Sequence, residues 1–146
     1  MNIKYMNEAY KQALKAKDNN EVPIGAVIVC GDKIISRAYN TRNKTQNAVN
    51  HAETIAIIKA CKKLKSWRLD DCDIYVTLEP CPMCAGAILN ARIKNLYFGA
   101  YDKTSNSDLL NIILKDDRLN HKISATGGIM EQECSTLLTD FFKNKR

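Results

Sequence analysis

Asp73-Ile-Tyr-Val-Thr-Leu-Glu-Pro-Cys81-Pro-Met-Cys84-Ala-Gly-Ala-Ile-Leu-Asn-Ala-Arg92 is the stretch that decides the fold of this chain. Residues 73–78 are mostly β-branched, aromatic and aliphatic, which is strand composition. Pro80 and Pro82 cannot continue that strand, because neither has a backbone N–H. Cys84 to Arg92 is then left as a helix, and Asn95 to Ala100 reads as the next strand. Upstream, His51 to about Leu64 places Ile55, Ile58 and Cys61 at helical spacing with Ala52 and Ala56 beside them. Before it, Ile24 to Val29 and Ile34 to Tyr39 flank the turn dipeptide Gly31-Asp32 and form a hairpin. Asn2 to Lys17 opens the chain as an amphipathic helix with Ile3, Met6, Tyr10, Ala13 and Leu14 on its stripe.

Thr41 to Asn50 and Tyr101 to Ser107 read as loops, Leu109 to Leu114 as a short helix, and Glu131 to Lys143 as the final one. Strands alternating with helices predict an α/β domain, with a central sheet of about five strands and helices on both faces. A chain of 146 residues forms one such domain, residues 1–146, and buries enough surface to need no disulfide staples. The Met1 to Glu8 start is polar where a secretory signal is apolar, and no apolar run reaches membrane-span length. The cytoplasm is the expected location, and with no disulfide framework Cys30, Cys61, Cys72 and Cys134 read as small buried residues. The net charge of +6 suits an acidic partner such as nucleic acid, but a solvated lysine surface explains it as well.

His51-Ala52-Glu53 and Cys81-Pro-Met-Cys84 stand at two helix starts of one sheet, and such starts share the edge where ligands bind. Cysteines three apart on a first helical turn turn both sulfurs to one side, and the positive helix end favours thiolates. Two thiolates and an imidazole select zinc, and three protein ligands leave a fourth position open, the mark of a catalytic site. Glu53 lies two residues from His51, so on a helix flank the two side chains diverge. They converge only if the metal lies beyond the helix N-terminus. Glu53 is then free to act as a proton shuttle, where alone it would read as a capping carboxylate. His121 is the other histidine, and it stands in a late loop with no neighbouring donor.

This H-x-E and P-C-x-x-C pattern resembles that of the zinc nucleobase deaminases. Glu21-Val-Pro-Ile-Gly-Ala26, Asn40, the Thr77 to Ala87 segment, Phe98-Gly-Ala100 with Asp102, and Phe141-Phe142 extend the resemblance to bacterial tRNA adenosine deaminases over nearly the whole chain. The resemblance implies a three-layer α/β/α cytidine-deaminase-like fold and a homodimer with one zinc per subunit. It also implies conversion of adenosine to inosine at wobble position 34 of a tRNA anticodon stem-loop, in an arginine tRNA with an ACG anticodon. His51, Cys81 and Cys84 would hold the zinc, and Glu53 would transfer protons. Asn40, Ala52 and Asp102 would contact substrate, with Asp102 placed to read a ribose 2′-hydroxyl. Phe141 and Phe142 read as core and dimer residues, and the basic end (Lys143, Lys145, Arg146) suits either phosphate or solvent. The loop from Lys103 to Asp108 departs from the family pattern, being shorter and without the expected glycines.

Two other function classes fit parts of the pattern. A deaminase of free guanine or cytosine shares the His-Ala-Glu and Pro-Cys-x-x-Cys motifs. A zinc-stabilised RNA-binding module or a redox protein needs only the cysteine pair, and would show a Cys81–Cys84 disulfide or a metal without turnover.

Overall fold

The structure, a computed structural model, describes residues 1–103 and 107–145, and of residues 107 and 108 the backbone alone. In chain order the elements are α1 (Ile3–Asp18), β1 (Gly25–Cys30), β2 (Lys33–Tyr39), α2 (Arg42–Thr45), α3 (Ala52–Leu64), β3 (Cys72–Leu78), α4 (Pro82–Asn90), β4 (Asn95–Ala100), α5 (Ser107–Lys115), β5 (Ser124–Thr126) and α6 (Glu131–Lys143). The sheet order is β2-β1-β3-β4-β5. β1 runs antiparallel to both neighbours, whereas β3, β4 and β5 are parallel. This is the expected three-layer α/β/α arrangement: α3, α4 and α5 pack on one face of the sheet and α1 on the other.

Side-chain alternation divides the sheet between two cores. Ala26, Ile28, Ile74, Val76, Leu96 and Phe98 face α3, α4 and α5, while Val27, Val29 and Tyr75 face α1. α6 lies on the α1 face, where the Cys134 side chain abuts Gly99 of β4.

Two helices present a different stripe from the expected one. α1 buries Tyr5, Met6, Ala9, Gln12, Ala13 and Ala16, leaving Ile3 and Leu14 on the surface. α3 buries Ala52, Glu53, Ala56 and Ala60 and turns Ile58 outward. The reason is close approach: small side chains let helix backbone sit directly on the sheet. At Gly25, a Cβ would run into the Ala9 carbonyl oxygen and the Ala13 nitrogen.

The Thr41 to Asn50 loop contains the single turn of α2, and α5 begins two residues earlier than expected. β5 is an edge strand in a stretch with no strand expectation. Cys72 and Cys134 are buried as expected, but Cys30 and Cys61 are only half-buried. No helix among the described residues is long and apolar enough to cross a membrane. Residues 104–106, within the shortened Lys103 to Asp108 loop, lie outside the described residues, as does Arg146.

Candidate active site

The site stands where the N-termini of α3 and α4 meet at one edge of the sheet. His51 is the N-cap of α3 and has extended backbone (φ −84°, ψ 159°), so it precedes the helix rather than riding its flank. The Thr54 hydroxyl accepts the His51 N–H at 3.2 Å and has the His51 and Val49 carbonyls in reach of its one proton, which fixes the cap. Cys81 is likewise the N-cap of α4, with Pro82 in the first turn supplying a helical φ without wasting an N–H. The tension between His51 and Glu53 disappears with this geometry. His51 points from outside the helix, and Glu53 from within its first turn.

His51 Nδ1 lies 3.7 Å from Cys81 Sγ and 3.5 Å from Cys84 Sγ, and the three donor atoms all lie within 4.8 Å of one another. Tetrahedral zinc, with bonds of about 2.3 Å to sulfur and about 2.0–2.1 Å to nitrogen, sets nitrogen and sulfur about 3.6 Å apart. The donor set and its spacing therefore fit zinc. Among the described residues this is the one group that could hold a metal ion. His121 instead lies with Nε2 2.9 Å from the Ile93 carbonyl oxygen, apart from the cluster.

Electrostatics agree with the geometry. Hydrogen bonds from Cys84 and His51, with the His51 charge beside them, pull the Cys81 thiol down to about 4. Its hydrogen bond to Cys81 holds the Cys84 proton and raises that group, and the same thiolate raises His51. Glu53 is 4% exposed, and burial pushes its carboxyl up to about 7. A carboxyl poised there accepts and returns a proton at neutral pH with little penalty in either direction.

The family model of MafB19-like deaminases matches residues 2–146. The tRNA-specific adenosine deaminase of Bacillus subtilis (strain 168) is 47% identical over 143 residues, which cover 97% of this chain and 89% of the relative. This chain belongs to the tRNA-specific adenosine deaminase family. A structure solved in a study of A-to-I editing by tRNA:A34 deaminases at the wobble position of transfer RNA matches it with a TM-score of 0.87 at 36% identity, over 94% of this chain and 100% of that one. Guanine deaminase from Bacillus subtilis matches with a TM-score of 0.66 at 39% identity, over 69% of this chain and 66% of that one.

Around the deaminase's donor cluster, Asn40 and Ala52 share a pocket of about 120 Å³ with Val22, Ile24, Arg42 and His51. Asn40 is buried at the end of β2, where its N–H bonds the Ile24 carbonyl, and its side-chain Oδ1 has no hydrogen-bond partner. A buried acceptor left open costs about 1–3 kcal/mol, and at a ligand pocket it is ready to be paired by substrate. Asp102 lies around the corner, in a cavity of about 370 Å³ with Val22, Leu78, Tyr101, Lys103 and Phe142. Phe141 packs inward and Phe142 is half-exposed on that cavity.

Two buried carboxylates were not singled out by the sequence reading. Glu21 accepts the Asn43 N–H at 3.0 Å and the Lys44 N–H at 2.6 Å, which ties α2 and the loop before His51 to the end of α1. Glu79 accepts the Asp102 N–H at 2.9 Å and so sets the position of that segment. Their only sequence signal was an acid beside a proline-containing junction at each edge of the pocket (Glu21-Val-Pro23 and Glu79-Pro80).

Proposed function

We propose that this chain hydrolyses adenosine to inosine at wobble position 34 of tRNA, in an arginine tRNA with an ACG anticodon, as a cytoplasmic homodimer with one zinc per subunit. The observation that carries this reading is the buried Glu53 carboxyl beside three donors at tetrahedral spacing. His51, Cys81 and Cys84 hold the zinc. When bound, the metal acts as a Lewis acid that makes water a nucleophile at neutral pH.

The chain's own residues do the rest. Glu53 takes the proton released as water attacks C6 of a flipped-out adenine and delivers it to N1. The regenerated carboxylate then takes the remaining hydroxyl proton at C6 and passes it to the amino group, so that the C6–N bond breaks, ammonia leaves and the C6 carbonyl of inosine forms. Asn40 orients the base through its open side-chain oxygen, and Ala52, the first residue of α3, offers substrate one of the N–H groups that a helix start leaves without an intrahelical acceptor. Asp102 reads the ribose of a neighbouring nucleotide from the adjoining cavity, which suits RNA over DNA.

The test is to incubate metal-loaded protein with the ACG-anticodon arginine tRNA and sequence for inosine at position 34. The reading requires inosine there. A second reading, deamination of free guanine, is favoured by the 39% identity to guanine deaminase. Ammonia released from free guanine or cytosine, with an anticodon stem-loop left unchanged, would establish it instead.

A further inference from the structure

Cys30 closes β1 and Cys72 opens β3, and the two face each other in the antiparallel register. Both backbone groups of Cys72 are engaged away from β1: its carbonyl accepts the Lys94 N–H at 2.9 Å, and its N–H donates to the Leu69 carbonyl at 3.0 Å. The pair is therefore a non-hydrogen-bonded one, the kind in which antiparallel Cα atoms come to about 4.5 Å and side chains lie closest. A disulfide spans Cα separations of roughly 4.4–6.8 Å, so no backbone movement is needed to form one.

The two side chains are also on the same face, since Cys30 packs against the core cluster that contains Cys72. Cys72 is 1% exposed, whereas Cys30 is only half-buried, so of the two it is the more accessible. Burial and the bond to Cys30 push the Cys72 thiol up to about 12. Cys30 thus meets a solute first and Cys72 answers it. Neither belongs to the metal-holding group, and β3 separates them from Cys81 by about 20 Å of extended chain.

We propose that Cys30 and Cys72 are an oxidation site of this protein, a cross-strand dithiol that a peroxide closes to a reversible disulfide. In the first step the Cys30 sulfur takes one peroxide oxygen, the O–O bond breaks, and water leaves with the thiol proton. Cys30 is then a sulfenic acid. In the second step the Cys72 sulfur attacks the Cys30 sulfur, the S–S bond forms as the S–O bond breaks, and the hydroxyl leaves with the Cys72 proton as a second water. The two thiols lose two electrons and two protons, and the peroxide is reduced to two waters. A small-molecule dithiol reverses the change by exchange. The closed loop, residues 30–72, carries Asn40, His51 and Glu53, so the cross-link ties the frame of the active site without using its donors.

The test treats reduced, zinc-loaded protein with rising equivalents of hydrogen peroxide. Free thiols are blocked by alkylation, and the unreduced digest is mapped by tandem mass spectrometry with zinc measured in parallel. The Cys30–Cys72 linked peptide should be the first disulfide to form, dithiothreitol should restore both thiols, and the zinc content should not change. In Cys72→Ser, oxidation should stop at Cys30 as a sulfenic acid trapped by dimedone. If that variant does not fold, the map of the unaltered protein decides alone. The proposal is overturned if Cys81–Cys84 forms first with loss of zinc, if Cys30 proceeds to sulfinic acid beside an intact Cys72, or if both thiols stay free while other residues oxidise.

Discussion

At the scale of single residues, the account turns on Glu53. Its carboxyl is buried in the first turn of α3, and burial is what moves it to about 7. Because it is not one of the three donors, its removal separates chemistry from metal binding. Glu53→Ala should retain about one zinc per chain while inosine formation falls roughly 10²–10⁴-fold, the range for loss of a positioned acid-base group. Metal analysis alongside a tRNA turnover assay checks both halves, and substantial turnover in the variant removes Glu53 from the mechanism. Asn40 presents a different case, since its buried side-chain oxygen has no hydrogen-bond partner and, on the proposed reading, substrate supplies one. Asn40→Ala should leave folding and zinc content intact and lower kcat/KM by about 10-fold or more, corresponding to about 1–3 kcal/mol for a buried hydrogen bond. A variant that keeps its kcat/KM would place the base elsewhere.

The elements make predictions of opposite sign for two glycines. Gly25 lies where α1 rests on β1, and no side chain fits beneath the Ala9 and Ala13 backbone. Gly25→Ala must push α1 off the sheet, and thermal unfolding should show a loss of about 1–3 kcal/mol or more, as for overpacked cores. Gly86 is inside α4, and nothing lies within 4 Å of the position of an added Cβ. Gly86→Ala should therefore raise stability by about 0.5–1 kcal/mol, because alanine loses less backbone freedom in a helix. A fall in melting temperature for that variant would contradict the packing described for α4.

The same elements show what sequence can reveal and where it stops. The Asp73 to Leu78 strand, the proline break and the helix after it were legible because each rests on local backbone chemistry. α6 was legible to the residue, since Glu131 to Lys143 is bounded by a glycine pair on one side and a basic tail on the other. The faces of α1 and α3 were not. A reading that ranks Ile3, Leu14 and Ile58 as the apolar stripe overlooks that alanine is what permits close contact with a sheet. β5 was missed because Ser124-Ala-Thr126 has no alternation to show, and pairing with β4 alone makes it a strand. At the site, the donor set was legible from residue type and spacing. The roles of Glu21 and Glu79 were not, because they bind backbone N–H groups more than twenty positions away.

At the scale of the whole molecule, a metal held by His51, Cys81 and Cys84 would couple the two helix N-termini. α3 and α4 belong to successive crossovers of one sheet, and His51, Cys81 and Cys84 meet where their N-termini come together. A ligand that binds only the folded state stabilises it by mass action. Stripping zinc with a strong chelator should abolish deamination and lower the melting temperature, and zinc added back should restore both. A melting temperature indifferent to chelation would mean that the cluster holds no metal in solution. Assembly is tested separately: sedimentation equilibrium should give twice the 16.4 kDa chain mass if the protein works as a dimer.

The central claim is that three side chains grip one metal and leave a fourth position open beside Glu53. X-ray absorption at the zinc edge of the purified protein tests it most directly. The account predicts two sulfurs at about 2.3 Å, one imidazole nitrogen at about 2.0–2.1 Å and one further light atom from solvent. A shell of three or four sulfurs, or a second imidazole filling the fourth position, would contradict it.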